Sequence, residues 1–207
     1  MIDLQTFVLL LPVLLASLTL HELAHGVTAT ILGDPTPREQ GRLTLNPLVH
    51  MDPIGTLLLV VTLLTAPFAF GWAKPVLVNP RYFRRAREGM AIVAAAGPAT
   101  NFVLALGCLA PIRFLHVTGE TSKVLTAAFV VNVVLGVFNL IPIPPLDGSR
   151  VVGVLMSRAT YLRWMSLDQY GFIVLFGLIF VFRNQFQSVF DTTLDIVARI
   201  MGLQVTT

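Results

Sequence analysis

Cysteine is nearly absent from this sequence: a single one, Cys108, stands in an apolar run. An internal disulfide is therefore excluded, and a thiolate-held metal site has no ligands to draw on. Charge is scarce as well. Asp, Glu, Lys and Arg make up 12% of the 207 residues, against ~25% in a soluble domain. No low-complexity run occurs, and there is no room for a separate soluble module. The formal net charge of +3 gives no basic surface of the kind nucleic acid requires, so the Lys and Arg residues read as topology signals. What fills the chain is apolar: 55% of residues are hydrophobic and the mean hydropathy is +0.79. The expected fold class is an all-α polytopic membrane protein, with residues 1–207 forming one integral-membrane domain. Met1-Ile2-Asp3 lacks a basic signal-peptide start, and the apolar run behind it is expected to be retained.

The most informative stretch is His21-Glu22-Leu23-Ala24-His25, inside an apolar segment from about Leu4 to Leu32. Residues four apart on a helix share a face, so His21 and His25 aim two imidazoles at one point. That is a common way to hold zinc. Glu22 stands one position on, near enough to reach a metal-bound water without being a ligand. Ionisable groups in hydrocarbon cost ~2.5–3.5 kcal/mol each on insertion scales, which argues against an incidental cluster. The segment is long enough to span a bilayer core of about 20 residues and stops at Gly33-Asp34-Pro35. A rise of ~1.5 Å per residue puts His25 roughly 10 Å and His21 roughly 16 Å below that end.

Two further spans are expected, Met90–Phe114 and Val124–Ile141, the second ended by Pro142, Pro144 and Pro145. Between the first span and these lies a polar stretch broken by prolines. Arg42–Asn46 and Lys74–Asn79 alternate like short strands and share the ending Asn-Pro, and they are expected to form two strands, paired with each other. Ile54–Ala66 is apolar but too short to span comfortably, so the segment Ile54–Phe70 is expected to enter the membrane and return. The insertion thus covers residues 33–89. Small residues in Ala94–Thr100 invite close helix approach, and Asn101 is expected to bond across it. A further transmembrane helix is expected from Tyr170 toward Val189, and 190–207 reads as an amphipathic interfacial tail.

Two histidines leave a tetrahedral zinc one protein ligand short, with a water in the fourth position. His50, Asp34, Asp52 and Asp147 are the candidates. Asp147 stands out, because it follows a spanning helix broken by three prolines, where irregular backbone implies a buried or wet setting. For Asp147 to meet the histidines, both helix ends must lie on one side of the membrane. An even number of crossings must link them, which Met90–Phe114 and Val124–Ile141 supply only if Ile54–Phe70 does not cross. Arg38, Arg42, Lys74, Arg81, Arg84, Arg85, Arg87, Arg150, Arg158 and Arg163 then share one side, against Arg113 and Lys123 on the other. The crowded side is cytosolic by the positive-inside rule, which puts the site nearer the cytosolic face.

Three ordered motifs carry a resemblance. They are His21-Glu22-Leu23-Ala24-His25, Ala96-Gly97-Pro98-Ala99-Thr100-Asn101, and Asn139-Leu140-Ile141-Pro142-Ile143-Pro144-Pro145-Leu146-Asp147-Gly148. Over roughly residues 4–160 the chain resembles the site-2 protease family of intramembrane zinc metalloproteases, and its 33–47 loop and Gly71–Pro75 resemble a compact prokaryotic-type branch. The resemblance implies a three-helix catalytic core over about 4–32, 90–114 and 124–141. It implies Zn2+ on His21, His25 and Asp147, with Glu22 as the catalytic residue and Asn139 contacting substrate. It also implies cleavage of transmembrane protein substrates within the bilayer of a bacterial cell, without the PDZ domain many members carry between the His and Asp helices. The rival reading is a metal transporter or a metal-binding scaffold using the same ligands. A transporter strings ionisable residues across several helices, whereas here they converge on one point.

Overall fold

The computed structural model describes residues 4–65 and 71–171, with isolated positions between 177 and 199. Three of its helices are long and apolar enough to cross a membrane. These are α1 (Leu4–Ile31), α5 (Ala86–Phe114) and α6 (Gly119–Asn139), with the short helices α2 (Thr36–Glu39), α3 (Pro47–His50) and α4 (Pro53–Thr65) between α1 and α5. After α6 come α7 (Asp147–Gly153) and α8 (Arg158–Met165). The expected C-terminal transmembrane helix and amphipathic tail lie for the most part outside the described residues.

At 28 residues, α1 is roughly 42 Å long, more than the ~30 Å hydrocarbon core. It stops where Gly33 takes φ +103°. There Asp34 N donates back to Ala29 O and Gly33 N to Thr30 O, a Schellman cap that needs the left-handed backbone glycine supplies. α5 is the central helix, packed against α1, α6 and α7. Ala105 and Phe129 form its core with α6. Gly136 makes room for Phe102 of α5 there, since a Cβ on it would stand 2.9 Å from the Phe102 ring. α5 and α6 each begin four or five residues earlier than the apolar runs indicate, because polar first turns (Ala86-Arg87-Glu88 and Gly119-Glu120-Thr121) are already helical.

The two expected strands do not form. Among the described residues the only pairing of this kind is an isolated antiparallel bridge between Met51 and Ala73. The shared Asn-Pro endings are helix starts instead. Asn46 caps α3 by accepting from Leu48 N, and Asn79 caps a 3-10 turn over Pro80–Tyr82 by accepting from Arg81 N. Proline at the first helical position needs no N–H there, so Asn-Pro opens a helix as readily as it closes a strand. The alternation in Lys74–Asn79 is genuine, with Val76 buried and Leu77 exposed, but its partner is the side of α1. Arg42, counted among the cytosolic charges, is buried and donates to Val49 O.

Beside the bridge, Lys74 N donates to His50 O at 2.8 Å. Gly71 and Trp72 lie against α4: a Cβ on Gly71 would touch Gly55 O and Leu59, and one on Gly55 would touch Trp72. The chain therefore leaves at Met51 and comes back to the same place at Ala73.

Candidate metal centre

Helix periodicity places Ser17, His21 and His25 on one stripe of α1 and Gly97 and Asn101 on one stripe of α5. Where these stripes meet, His21 and His25 are buried. Their rings stand at 87° with centroids 4.6 Å apart. The two Nε2 atoms are 3.0 Å apart. Asp147 Oδ2 lies 3.1 Å from His21 Nε2 and 3.3 Å from His25 Nε2. The structure thus brings together His21, His25 and Asp147.

The hydrogen bonds behind the rings explain why both Nε2 atoms face inward. His25 Nδ1 donates to Val93 O at 2.7 Å, and a carbonyl can only accept. His21 Nδ1 meets Asn101 Oδ1 at 2.6 Å. Asn101 presents its oxygen because its Nδ2 donates to Asn132 Oδ1, while Asn132 Nδ2 donates to Ser17 Oγ and Ala128 O. With the proton on Nδ1 in both rings, the neutral imidazoles point two bare Nε2 lone pairs and a carboxylate oxygen at one point. Three acceptors at about 3 Å repel one another unless a cation sits among them.

The donor set fits zinc. Ligands ~2.0–2.1 Å from a tetrahedral zinc stand roughly 3.3 Å apart, close to the edges observed. The space is made by Gly97, where a Cβ would lie 2.5 Å from both His21 Nε2 and His25 Nε2. Next to it, Pro98 inside α5 lacks the N–H that would close on Ala94. Ala94 O, next to the Val93 carbonyl taken by His25, thereby loses its usual helical donor.

Asp147 is carried in by the turn after α6. Gly148 allows the approach, since a Cβ there would be 2.1 Å from Leu140 O. Arg150 holds the turn: its Nη1 donates to Pro145 O at 2.8 Å and to Ser149 Oγ at 3.1 Å, and its Nη2 pairs with Asp168 Oδ2 at 2.6 Å. Ser149 Oγ donates to Leu146 O at 2.6 Å.

The remaining candidates are elsewhere. Glu22 lies outside the triangle, half-buried, with Oε2 accepting from Val76 N at 2.9 Å. Asn139 ends α6, and its Nδ2 donates to Leu135 O at 3.0 Å. His50 is buried away from the triangle and bonds Thr44 O. Asp52 caps α4 through Ile54 N and Gly55 N. Asp34 is fully buried. Sequence reasoning missed Ser17, Gly97, Asn132 and Arg150 in these roles. The four-residue spacing that singled out the histidines also picks Ser17 on α1 and pairs Gly97 with Asn101 on α5.

Comparison with known proteins adds a family. Residues 115–183, which include Asp147 and its turn, match the family model described as Peptidase family M50. YwhC of Bacillus subtilis (strain 168), provisionally named a zinc metalloprotease, is 40% identical over 177 residues, covering 81% of this chain and 78% of YwhC. Rip2 of Mycolicibacterium smegmatis, with the same provisional name, is 33% identical over 175 residues, covering 84% of this chain and 67% of Rip2. A zinc metalloprotease of Methanocaldococcus jannaschii is 31% identical over 72 residues, covering 35% of this chain and 21% of that protein. No solved structure matches at comparable stringency.

Proposed function

The chain belongs to peptidase family M50 and is a zinc metalloprotease with a multi-pass helical body, and from that premise we propose that it hydrolyses peptide bonds inside transmembrane segments of other membrane proteins. The observation that carries this reading is the donor triangle of His21, His25 and Asp147, about 10–16 Å along α1 from its Gly33 end. A protease site at that depth meets helical substrates in lipid.

In this reading His21, His25 and Asp147 hold the zinc. When bound, it polarises the scissile carbonyl and acidifies the attacking water. Glu22 takes that water's proton and delivers it to the leaving amine. Asn101 and the Val93 carbonyl keep both imidazoles turned toward the ion. Asn139 donates to the substrate backbone or its developing oxyanion, exchanging its bond to Leu135 O for that contact. The segment Ile54–Phe70, of which 54–65 are described, is read as entering the membrane and returning without crossing. The meeting of Met51 with Ala73 supports this, and it leaves the histidines and Asp147 on the cytosolic side of a cell membrane.

The test uses purified protein in detergent and a quenched fluorogenic peptide of about 20 apolar residues with a central Gly-Asn-Pro break. The wild type is expected to carry zinc and cut the peptide. Glu22→Gln keeps zinc and loses cleavage, and Asp147→Ala loses both. Cleavage by Glu22→Gln at the wild-type rate refutes the assignment.

A further inference from the structure

Asp34 is fully buried, and no Lys, Arg or His pairs with it among the described residues. A carboxylate taken out of water is costly unless its oxygens are hydrogen-bonded. Here both are: Oδ1 accepts from Thr36 N at 3.0 Å and Oδ2 from Asn79 N at 2.6 Å. The first bond is local. The second reaches across to the extended segment Lys74–Asn79.

That segment lies along one stripe of α1. Glu22, Gly26 and Ala29 follow at helical spacing on one face. A Cβ on Gly26 would stand 3.6 Å from Val76 Cγ1, and Val78 packs on the Ala29, Phe83 and Val93 cluster. Its amides are tied at three points: Lys74 N donates to His50 O at 2.8 Å, Val76 N to Glu22 Oε2 at 2.9 Å, and Asn79 N to Asp34 Oδ2 at 2.6 Å. The Lys74 bond, next to the Met51–Ala73 bridge, fixes where the segment begins, and the two carboxylate bonds with the contacts of Val76 and Val78 hold its register on α1.

We infer that Asp34 is a positioning residue for the reaction: by anchoring Asn79 it holds the Val76 N–H on Glu22, fixing one carboxylate oxygen and leaving the other for the proton. This rests on the reading of Glu22 as the proton carrier. It also accounts for an aspartate at this buried position. Asparagine would supply one acceptor and turn a second N–H donor toward Thr36 N or Asn79 N.

The test is Asp34→Asn, which is nearly isosteric, beside Val76→Pro, which removes the N–H itself. Hydrogen exchange is followed over residues 74–79 in the full-length protein, and turnover is followed with the same fluorogenic peptide. Asp34→Asn is expected to speed exchange of the Val76 amide at least tenfold. Both variants should lower kcat about tenfold, the worth of one charge-assisted hydrogen bond, with KM within about twofold and zinc content unchanged. In the Val76→Pro background, Asp34→Asn should cost nothing further. Wild-type exchange in Asp34→Asn, loss of zinc from it, or multiplying effects in the double variant would overturn the inference. Cleavage retained by Glu22→Gln would instead remove the parent reading, while the exchange result still decides whether Asp34 anchors the segment.

Discussion

Replacing Gly97 by alanine adds one methyl group at the point where zinc would be held. Built on the backbone, that methyl carbon lies 2.5 Å from His21 Nε2 and from His25 Nε2, and 2.6 Å from His21 Cε1. Ordinary contact needs about 3.5 Å, so both rings must retreat by about 1 Å. They are not free to do so without releasing Asn101 and the Val93 carbonyl behind them. Removing a single second-layer partner costs about 10–100-fold in metal affinity. Displacing two ligands at once should cost on the order of 100-fold or more. The backbone effect has the opposite sign, because alanine favours a helix interior over glycine by about 1 kcal/mol. The outcome therefore separates folding from metal binding: Gly97→Ala should keep its helical circular dichroism while losing zinc and proteolysis. The assays are metal analysis of purified protein and competition against a chelator. A variant that holds zinc as tightly as the wild type would show that the triangle is not the metal centre.

Asn101→Leu should weaken zinc about 10–100-fold, read by the same chelator competition, since it strips the acceptor from His21 and breaks the link to Asn132. Arg150→Met should destabilise the protein by about 1–3 kcal/mol in thermal unfolding, because Pro145 O loses its donor and Asp168 its partner. Lysine should not restore it, lacking a fork that reaches both. Phenanthroline should abolish cleavage, and added zinc should return it. A reporter fused near Glu88 should read cytosolic, and one placed in residues 115–118 should read exterior. The reverse would overturn the topology.

The spanning helices were legible because length and apolarity decide them, and their starts were misplaced only where polar first turns precede the apolar run. The histidine pair and Asp147 were legible because an ionisable group in a membrane helix is costly to keep without a use. The strands were not. A period of two in Lys74–Asn79 records burial on alternate sides, and it cannot say whether the neighbour is a strand or the small-residue face of a helix. Nor did the Asn-Pro pairs distinguish an ending from a beginning. Gly97 illustrates a different limit. Its sequence context marks close helix packing, but the neighbours that crowd it are the imidazoles from another helix, a fact that only three dimensions supply.

The line of side chains from His21 through Asn101 and Asn132 to Ser17 runs through all three long helices. Each of those helices, inserted alone, would present an amide, a hydroxyl or an imidazole to hydrocarbon without the partner another helix supplies. Lipid tails are as oily as leucine, so greasy surfaces alone give the helices little reason to associate. Bringing the helices together and shaping the metal pocket are consequently a single event. Damage to any one amide in that line would be felt first as a loosened bundle and, by the same stroke, as a lost enzyme.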